Sequence, residues 1–400
     1  MTPASKQNFN KKHAIKRGLQ GAYLTQNTAP EPFQAFIPRP LPPDPPLEFG
    51  GPLAEALAGA NLALGRLDAL GRLLPDVSLL LYFYVRKEAV LSSQIEGTQS
   101  SLSDLLLFES QELPGVPLDD VQEVSSYVAA MEHGLQRLSS GFPFSVRLLR
   151  EIHEVLLSKG RGSDKDPGEF RRSQNWIGGS RPGNALYVPP PSIEVVGAMG
   201  ELEKYLHEEV QSGFVLVKAA LAHVQFETIH PFLDGNGRLG RLLVTLYLCW
   251  QQVLTQPLLY LSLYFKSNRN DYYRLLQSVR TEGVWEDWLQ FFLVGVQLTA
   301  DEAVQTANRI LENFRKDRNR LAEAPGSVLR LHELFQRRPL LTIPLAAKEL
   351  SLTQASVGGA MNKLVELEIV REFGNRKRNR LFAYAEYLKL LSSGTENPSR

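Results

Sequence analysis

His230-Pro231-Phe232-Leu233-Asp234-Gly235-Asn236-Gly237-Arg238-Leu239-Gly240-Arg241 sets a base, a carboxylate, a glycine turn and two arginines within twelve residues. Gly235, Asn236 and Gly237 can reach backbone conformations closed to most residues, so successive N–H groups can converge as an anion nest. The apolar run that follows, Leu242-Leu243-Val244-Thr245-Leu246-Tyr247-Leu248, reads as a buried helix. The nest then lies at a helix N-terminus, where unpaired N–H groups and the helix dipole favour phosphate. Arg238 and Arg241 stand three apart and share one face of the first turn. Two cations there oppose the dipole. A structural role explains them poorly, and an anionic ligand explains them well.

Around this loop the periodicity is helical. Leu80 to Gly97 repeats its apolar positions at helical spacing, and Gly97 suits a helix end. Further helices are expected at 119–138, 144–158, 192–212, 214–229, 242–253, 268–281 and 284–318. Between 168 and 191 the pattern breaks. Two short apolar strands around Ser180-Arg181-Pro182-Gly183-Asn184 predict a β-hairpin. The expected class is mainly α, an all-helical core with a small β-hairpin flap.

The twelve residues match the signature of the Fic family, His-Pro-Phe-x-(Asp/Glu)-Gly-Asn-Gly-Arg-x-x-Arg, without a departure. The chain resembles that family, which largely consists of enzymes transferring AMP from ATP to a hydroxyl side chain of a protein. The resemblance implies a protein adenylyltransferase using ATP and Mg²⁺. Its partner would be a protein substrate with an acceptor Ser, Thr or Tyr hydroxyl, self-modification included. His230 would be the general base, a task that suits an imidazole of pKa about 6.5. Asp234 would hold Mg²⁺ against the α- and β-phosphates. Gly235, Asn236 and Gly237 would cradle the phosphates, through backbone and side chain. Arg238 and Arg241 would hold the β/γ end, where charge develops in the transition state. Tyr273 falls where family members carry nucleoside-contacting residues.

Two further segments extend the resemblance. Ser92-x-x-x-Glu96-Gly97 is similar to the family's inhibitory motif, (Ser/Thr)-x-x-x-Glu-(Gly/Asn). It implies that Glu96, beside Ser92, pairs with Arg241 and blocks the γ-phosphate, since a carboxylate–guanidinium pair competes directly with phosphate. The hairpin is similar to the family's flap. Leu186, Tyr187 and Val188 would clamp the target by strand addition, which gives register with little side-chain specificity.

Residues 325–392 read as a separate module resembling a winged helix-turn-helix domain. Three helices (327–336, 344–350 and 353–367) precede two strands (369–373 and 380–384). Residues 371–380 hold five basic side chains and one acidic, a local net charge of +4 that suits phosphate contacts. The third helix offers Gln354, Asn362 and Lys363 for base contact. Winged helices also serve protein interaction and dimerisation, so DNA and a homodimer partner both stand open.

The remaining boundaries are a basic, proline-rich segment at 1–49, a helical region at 50–115 carrying the inhibitory helix, and a catalytic core at 116–320. Pro30 to Pro46 favours an extended segment that docks on the body or serves as a linker. Four hundred residues, 43% of them hydrophobic, suffice for two or three cores. With 44 basic against 43 acidic side chains, global charge makes no case for nucleic acid or a membrane. No apolar span approaches about 18 residues, so a membrane-crossing helix is not expected. Residues 1–28 lack the apolar core of a secretory signal, and the expected location is cytoplasmic. Cys249 is the one cysteine and excludes an intramolecular disulfide. His133, His153, His207 and His223 lack zinc-ligand spacing. Two other functions fit the same residues. One is removal of AMP, with Glu96 positioning water. The other is a DNA-binding regulator whose core senses nucleotide.

Overall fold

The computed structural model describes residues 17–27, 31–73, 78–109, 116–373 and 380–396. Two short strands, β1 (Gly21–Gln26) and β2 (Phe33–Pro38), precede helices α1 (Gly51–Leu73), α2 (Ser78–Ile95) and α3 (Leu102–Glu109). The next helices are α4 (Leu118–Ser139), α5 (Val146–Leu156), α6 (Ser192–His207), α7 (Val215–Ile229) and α8 (Asn236–Trp250). They are followed by α9 (Ser262–Ser267), α10 (Arg269–Glu282) and the 36-residue α11 (Trp285–Arg320). The C-terminal part runs α12 (Gly326–Arg337), β3 (Leu340–Thr342), α13 (Ile343–Leu350), α14 (Gln354–Glu366), β4 (Val370–Phe373), β5 (Leu381–Tyr384) and α15 (Ala385–Ser392). The mainly-α expectation holds.

Helix α7 is the axis of the core. It is apolar around nearly its whole circumference, and every one of its residues is buried. It stops at His230, whose φ of 49° is left-handed, and Gly235, with φ 74°, turns the chain into α8. The signature loop lies between these two turns. Elsewhere the ends obey local chemistry. Ser145 caps α5 by accepting from Leu148 N, Thr353 caps α14 by accepting from Ser356 N, and Gly283 ends α10 at φ 68°.

The N-terminal segment is not simply extended. Pro32 and Pro38 bound a strand instead of interrupting it, and β1 pairs antiparallel with β2 from Gly21↔Pro38 to Gln26↔Phe33. Phe36 packs edge-on against Tyr23 and tilted on Tyr187, and its N–H donates to Val188 O at 2.9 Å. Arg17 fastens this segment to the α10–α11 turn. It donates to both carboxylate oxygens of Glu286 and to Gly283 O, while Trp285 Nε1 donates to Gln20 Oε1.

The expected flap hairpin is reduced to one antiparallel bridge, Ile177↔Tyr187. Gly178 and Gly179 take φ of 68° and 72°, and Pro182–Asn184 forms a 3-10 turn. Those residues are spent on turning, and Val188 bonds to β2 instead.

The C-terminal part differs from a separate module in its packing. Its helix and strand order follows the expected one, with β3 and α15 added, and its sheet order is β3-β5-β4. Its core is continuous with that of the body: Tyr387 packs on Phe83 and Phe314, and Tyr384 OH donates to Asp317 Oδ2 at 2.7 Å. Residues 374–379, most of the basic run, lie outside the described residues. No described helix is long and apolar enough to cross a membrane.

Glu286→Ala should take from the buried Arg17 guanidinium a carboxylate that two of its nitrogens bond. The expected loss is about 2–3 kcal/mol in urea unfolding, with earlier cleavage in the N-terminal segment under limited proteolysis. An unchanged midpoint would mean that the strap carries no stability.

Candidate active site

The site forms where the α7–α8 turn meets the end of α2. Intrahelical bonding in α8 begins with Leu239 N donating to Gly235 O, so Asn236, Gly237 and Arg238 supply first-turn N–H groups without an intrahelical acceptor. Gly235 N donates to Asp234 Oδ1 at 2.6 Å, and is thereby taken. Asn236 has a structural task in the loop. Its side chain is buried, with Oδ1 accepting from Phe232 N and Nδ2 donating to Phe232 O. It clips the loop shut with one bond from each end of the amide.

Arg241 is buried, and the end of α2 takes its Nε and Nη2. Nε donates to Ser92 Oγ at 2.8 Å, and Nη2 donates to Ser92 O at 3.0 Å and to Glu96 Oε1 at 2.7 Å. A Cβ on Gly237 would overlap Glu96 Oε1, so the carboxylate stands directly over the first turn of α8. Burial opposes ionisation of Glu96. Arg241, then Arg238 and His230, outweigh it and hold its pKa below the ordinary value.

Arg238 is also buried, 1% exposed, yet its three guanidinium nitrogens make no hydrogen bond among the described residues. Its ion pairs are with Glu123 Oε1 at 3.1 Å and Asp234 Oδ1 at 3.6 Å. Burial raises the Glu123 pKa against the pull of Arg238 and Arg161.

His230 has its Nδ1 fully buried, and the ring is partly open to solvent. Burial, with Arg280 and Arg171 nearby, depresses its pKa to about 3, so the imidazole is neutral at physiological pH. Arg171 braces the loop: its Nε donates to His230 O, its N–H to Pro231 O and its Nη2 to Pro190 O. Asn175 Nδ2 donates to Phe232 O at 2.9 Å. His153 stacks on Phe232, accepts Gly168 N–H at Nδ1 and therefore donates from Nε2 to Asp234 O at 3.0 Å. Sequence reading left His153, Glu123 and Arg171 without a role, and no spacing signal marks them.

The other expected residues divide. Asp234 has a partly exposed carboxylate beside Arg238, a single hard ligand of the kind Mg²⁺ takes alongside phosphate. The described residues hold no cluster of three or more His, Cys, Asp or Glu. Tyr273 is 41% exposed, and both Glu96 and Arg241 act on its hydroxyl, so it borders the site. Of the flap residues, Leu186 faces outward at 82% exposure. Tyr187 is buried with its OH donating to Thr228 O, and Val188 is buried against β2.

Fold and loop together are similar to those of Fic-type proteins. Residues 54–136 match the Fic/DOC family N-terminal domain, and residues 143–248 match the Fic/DOC family domain. The chain carries both domains. It is 30% identical over 210 residues to Protein adenylyltransferase Fic of Drosophila yakuba and 32% identical over 214 residues to the protein of that name from Aedes aegypti. Each match covers 52% of this chain and 39% of the relative, so the chain spans well under half the length of either. The fold is similar to that of a Fic family protein from Desulfovibrio desulfuricans G20, with a TM-score of 0.57 at 21% identity, covering 85% of this chain and 98% of that one.

Asn236→Ala removes both clips on Phe232. About 2 kcal/mol of stability, read as a lower urea midpoint, should go with them. Wild-type stability in that variant would show that the loop holds its shape without them.

Proposed function

We propose that this chain is a protein adenylyltransferase, moving AMP from ATP to a hydroxyl side chain of a protein, itself included. One observation carries the reading: a carboxylate, Glu96, occupies an anion position over the first turn of α8, bonded to the buried Arg241. A helix N-terminus with two buried guanidiniums calls for an anion, and a polyphosphate can take the place of Glu96. The names of the two insect relatives support adenylyl transfer as the chemistry.

In this reading the first-turn N–H groups of Asn236, Gly237 and Arg238 bind phosphate oxygens, and Arg238 and Arg241 hold the pyrophosphate end. Asp234 would hold Mg²⁺, whose charge offsets that of the phosphates when it is bound. His230 is neutral and so already a base. With Nδ1 buried, Nε2 receives the proton of the target hydroxyl. The oxygen then bonds to the α-phosphorus as the bond to pyrophosphate breaks. Tyr273 lies where it can flank the nucleoside, and the exposed Leu186 marks the flap face that meets the target. Glu96, braced by Ser92, restrains the reaction by keeping Arg241 from the γ-phosphate. We read the C-terminal part as a winged helix. Gln354 and Asn362 are exposed on α14 and available to DNA or protein.

Label from α-³²P-ATP should appear on the Glu96→Gly protein at many times the wild-type level, and should vanish in Glu96→Gly/His230→Ala. Equal labelling of wild type and Glu96→Gly would contradict restraint by Glu96. Label surviving the loss of His230 would contradict its role as base.

A further inference from the structure

Glu227 is the one charged side chain on the last turn of α7, and it is 6% exposed. An acid at a helix C-terminus opposes the dipole, and a buried carboxyl without a partner is costly. Glu227 has no compensating bond on its outer oxygen. Oε1 is buried without a hydrogen bond among the described residues, and it presses on Gly240, where a Cβ would overlap it. Oε2 lies 3.9 Å from Nδ1 of His230, which is likewise buried without a hydrogen bond. Neighbouring cations do not claim the carboxylate. Arg280 bonds to Thr228 Oγ1, Gln277 Oε1 and the main-chain oxygen of Glu227, and Arg241 bonds to Ser92 and Glu96. That main-chain oxygen, the other acceptor near the ring, spends one lone pair on Arg280 at 3.3 Å and with the other bears on the ring, raising the His230 pKa against the effect of burial.

An acid and a base, both buried, thus face each other at 3.9 Å, about an ångström beyond a charge-assisted hydrogen bond. From this geometry we infer that Glu227 is the positioning residue of His230: its carboxylate accepts Nδ1–H, fixes the tautomer with Nε2 bare, and pairs with the imidazolium formed during transfer. The inference rests on the adenylyl-transfer reading for its chemistry. The hydroxyl proton goes to Nε2, the Nδ1 proton stays on the ring, and no other reactant is needed. An orienting carboxylate behind a catalytic imidazole is a general device for holding the tautomer and stabilising the cation. Gly240, within the signature, is what gives the carboxylate its room.

The arrangement also sets a pH dependence. Burial raises the Glu227 pKa to about 7 against the pull of Arg241 and Arg280, with Glu96 adding to the rise. His230 faces Arg280, Arg171 and Glu96 and stays neutral down to about 3. Glu88 is also pushed up to about 7, but its oxygens face Ser262 and Tyr127. Across neutral pH, then, the group near the ring that changes charge is Glu227. It becomes an anion, and an aid to His230, as pH rises.

In the Glu96→Gly background, transfer should climb as pH rises through about 7. Glu227→Gln should abolish that climb and lower kcat roughly tenfold to a hundredfold, with KM for ATP and ATP affinity unchanged. A Gln variant that keeps both the rate and the climb overturns the inference, as does one that loses ATP binding in parallel with rate. ¹⁵N NMR of His230 gives a readout independent of turnover: Nδ1 protonated and Nε2 bare in the parent, and a mixed tautomer in Glu227→Met. A mixed tautomer in the parent overturns the inference. Should the parent transfer no label, the adenylyl reading fails by itself, and the tautomer still decides the role of Glu227.

Discussion

The contact between Arg241 and Glu96 is the one on which the rest of the site depends. Arg241 is buried in the second turn of α8, near the N-terminal end, where the helix dipole disfavours a cation. Such a charge is tolerable only beside an anion that also satisfies its hydrogen bonds. The end of α2 meets that demand with one carboxylate oxygen, one hydroxyl and one carbonyl. Removing the carboxylate leaves a demand that only another anion can fill. In the proposed reading the same residue would serve both the resting structure and the binding of a polyphosphate, and the two uses would exclude each other.

Where Glu96 stands is decided by more than α2. Gln94, two positions earlier, donates to Ser100 O and to Thr395 O, and Lys266 on α9 donates to Gln94 Oε1 and Gly394 O. Phe83 on α2 packs against Tyr387 of α15. The far end of the chain is thus built into the seat of the α2 terminus. On the opposite side, Arg171, Asn175 and His153 hold the carbonyls of the 230–234 loop. The loop is stiff because its backbone is bonded from both flanks, which suits a site that must present atoms to a phosphate without rearranging.

What the sequence made legible was local. The 230–241 run carries its geometry in adjacent residues, so the turn, the helix start and the two arginines follow from glycine freedom and periodicity. The Ser92–Glu96 pairing with Arg241 spans 145 positions and was legible only through the resemblance of a second motif. Glu123, Arg171, His153 and Glu227 gave no signal, because each owes its role to a partner that only tertiary packing supplies. Asn236 was read as a ligand group from its place in the motif, and its side-chain bonds to Phe232 were not legible there. The β1–β2 pair was hidden by flanking prolines, and α9 and α15 are too short for helical periodicity to accumulate. The flap failed as a hairpin for the opposite reason. Its turn residues were real, but they left too few positions for a ladder.

The most direct test is a crystal structure of the Glu96→Gly protein with Mg²⁺ and a non-hydrolysable ATP analogue. The account predicts the triphosphate on the first turn of α8, with the Arg241 guanidinium released from its carboxylate and bonded to terminal phosphate oxygens. A triphosphate bound elsewhere, with Arg241 still turned to Ser92 alone, would contradict it.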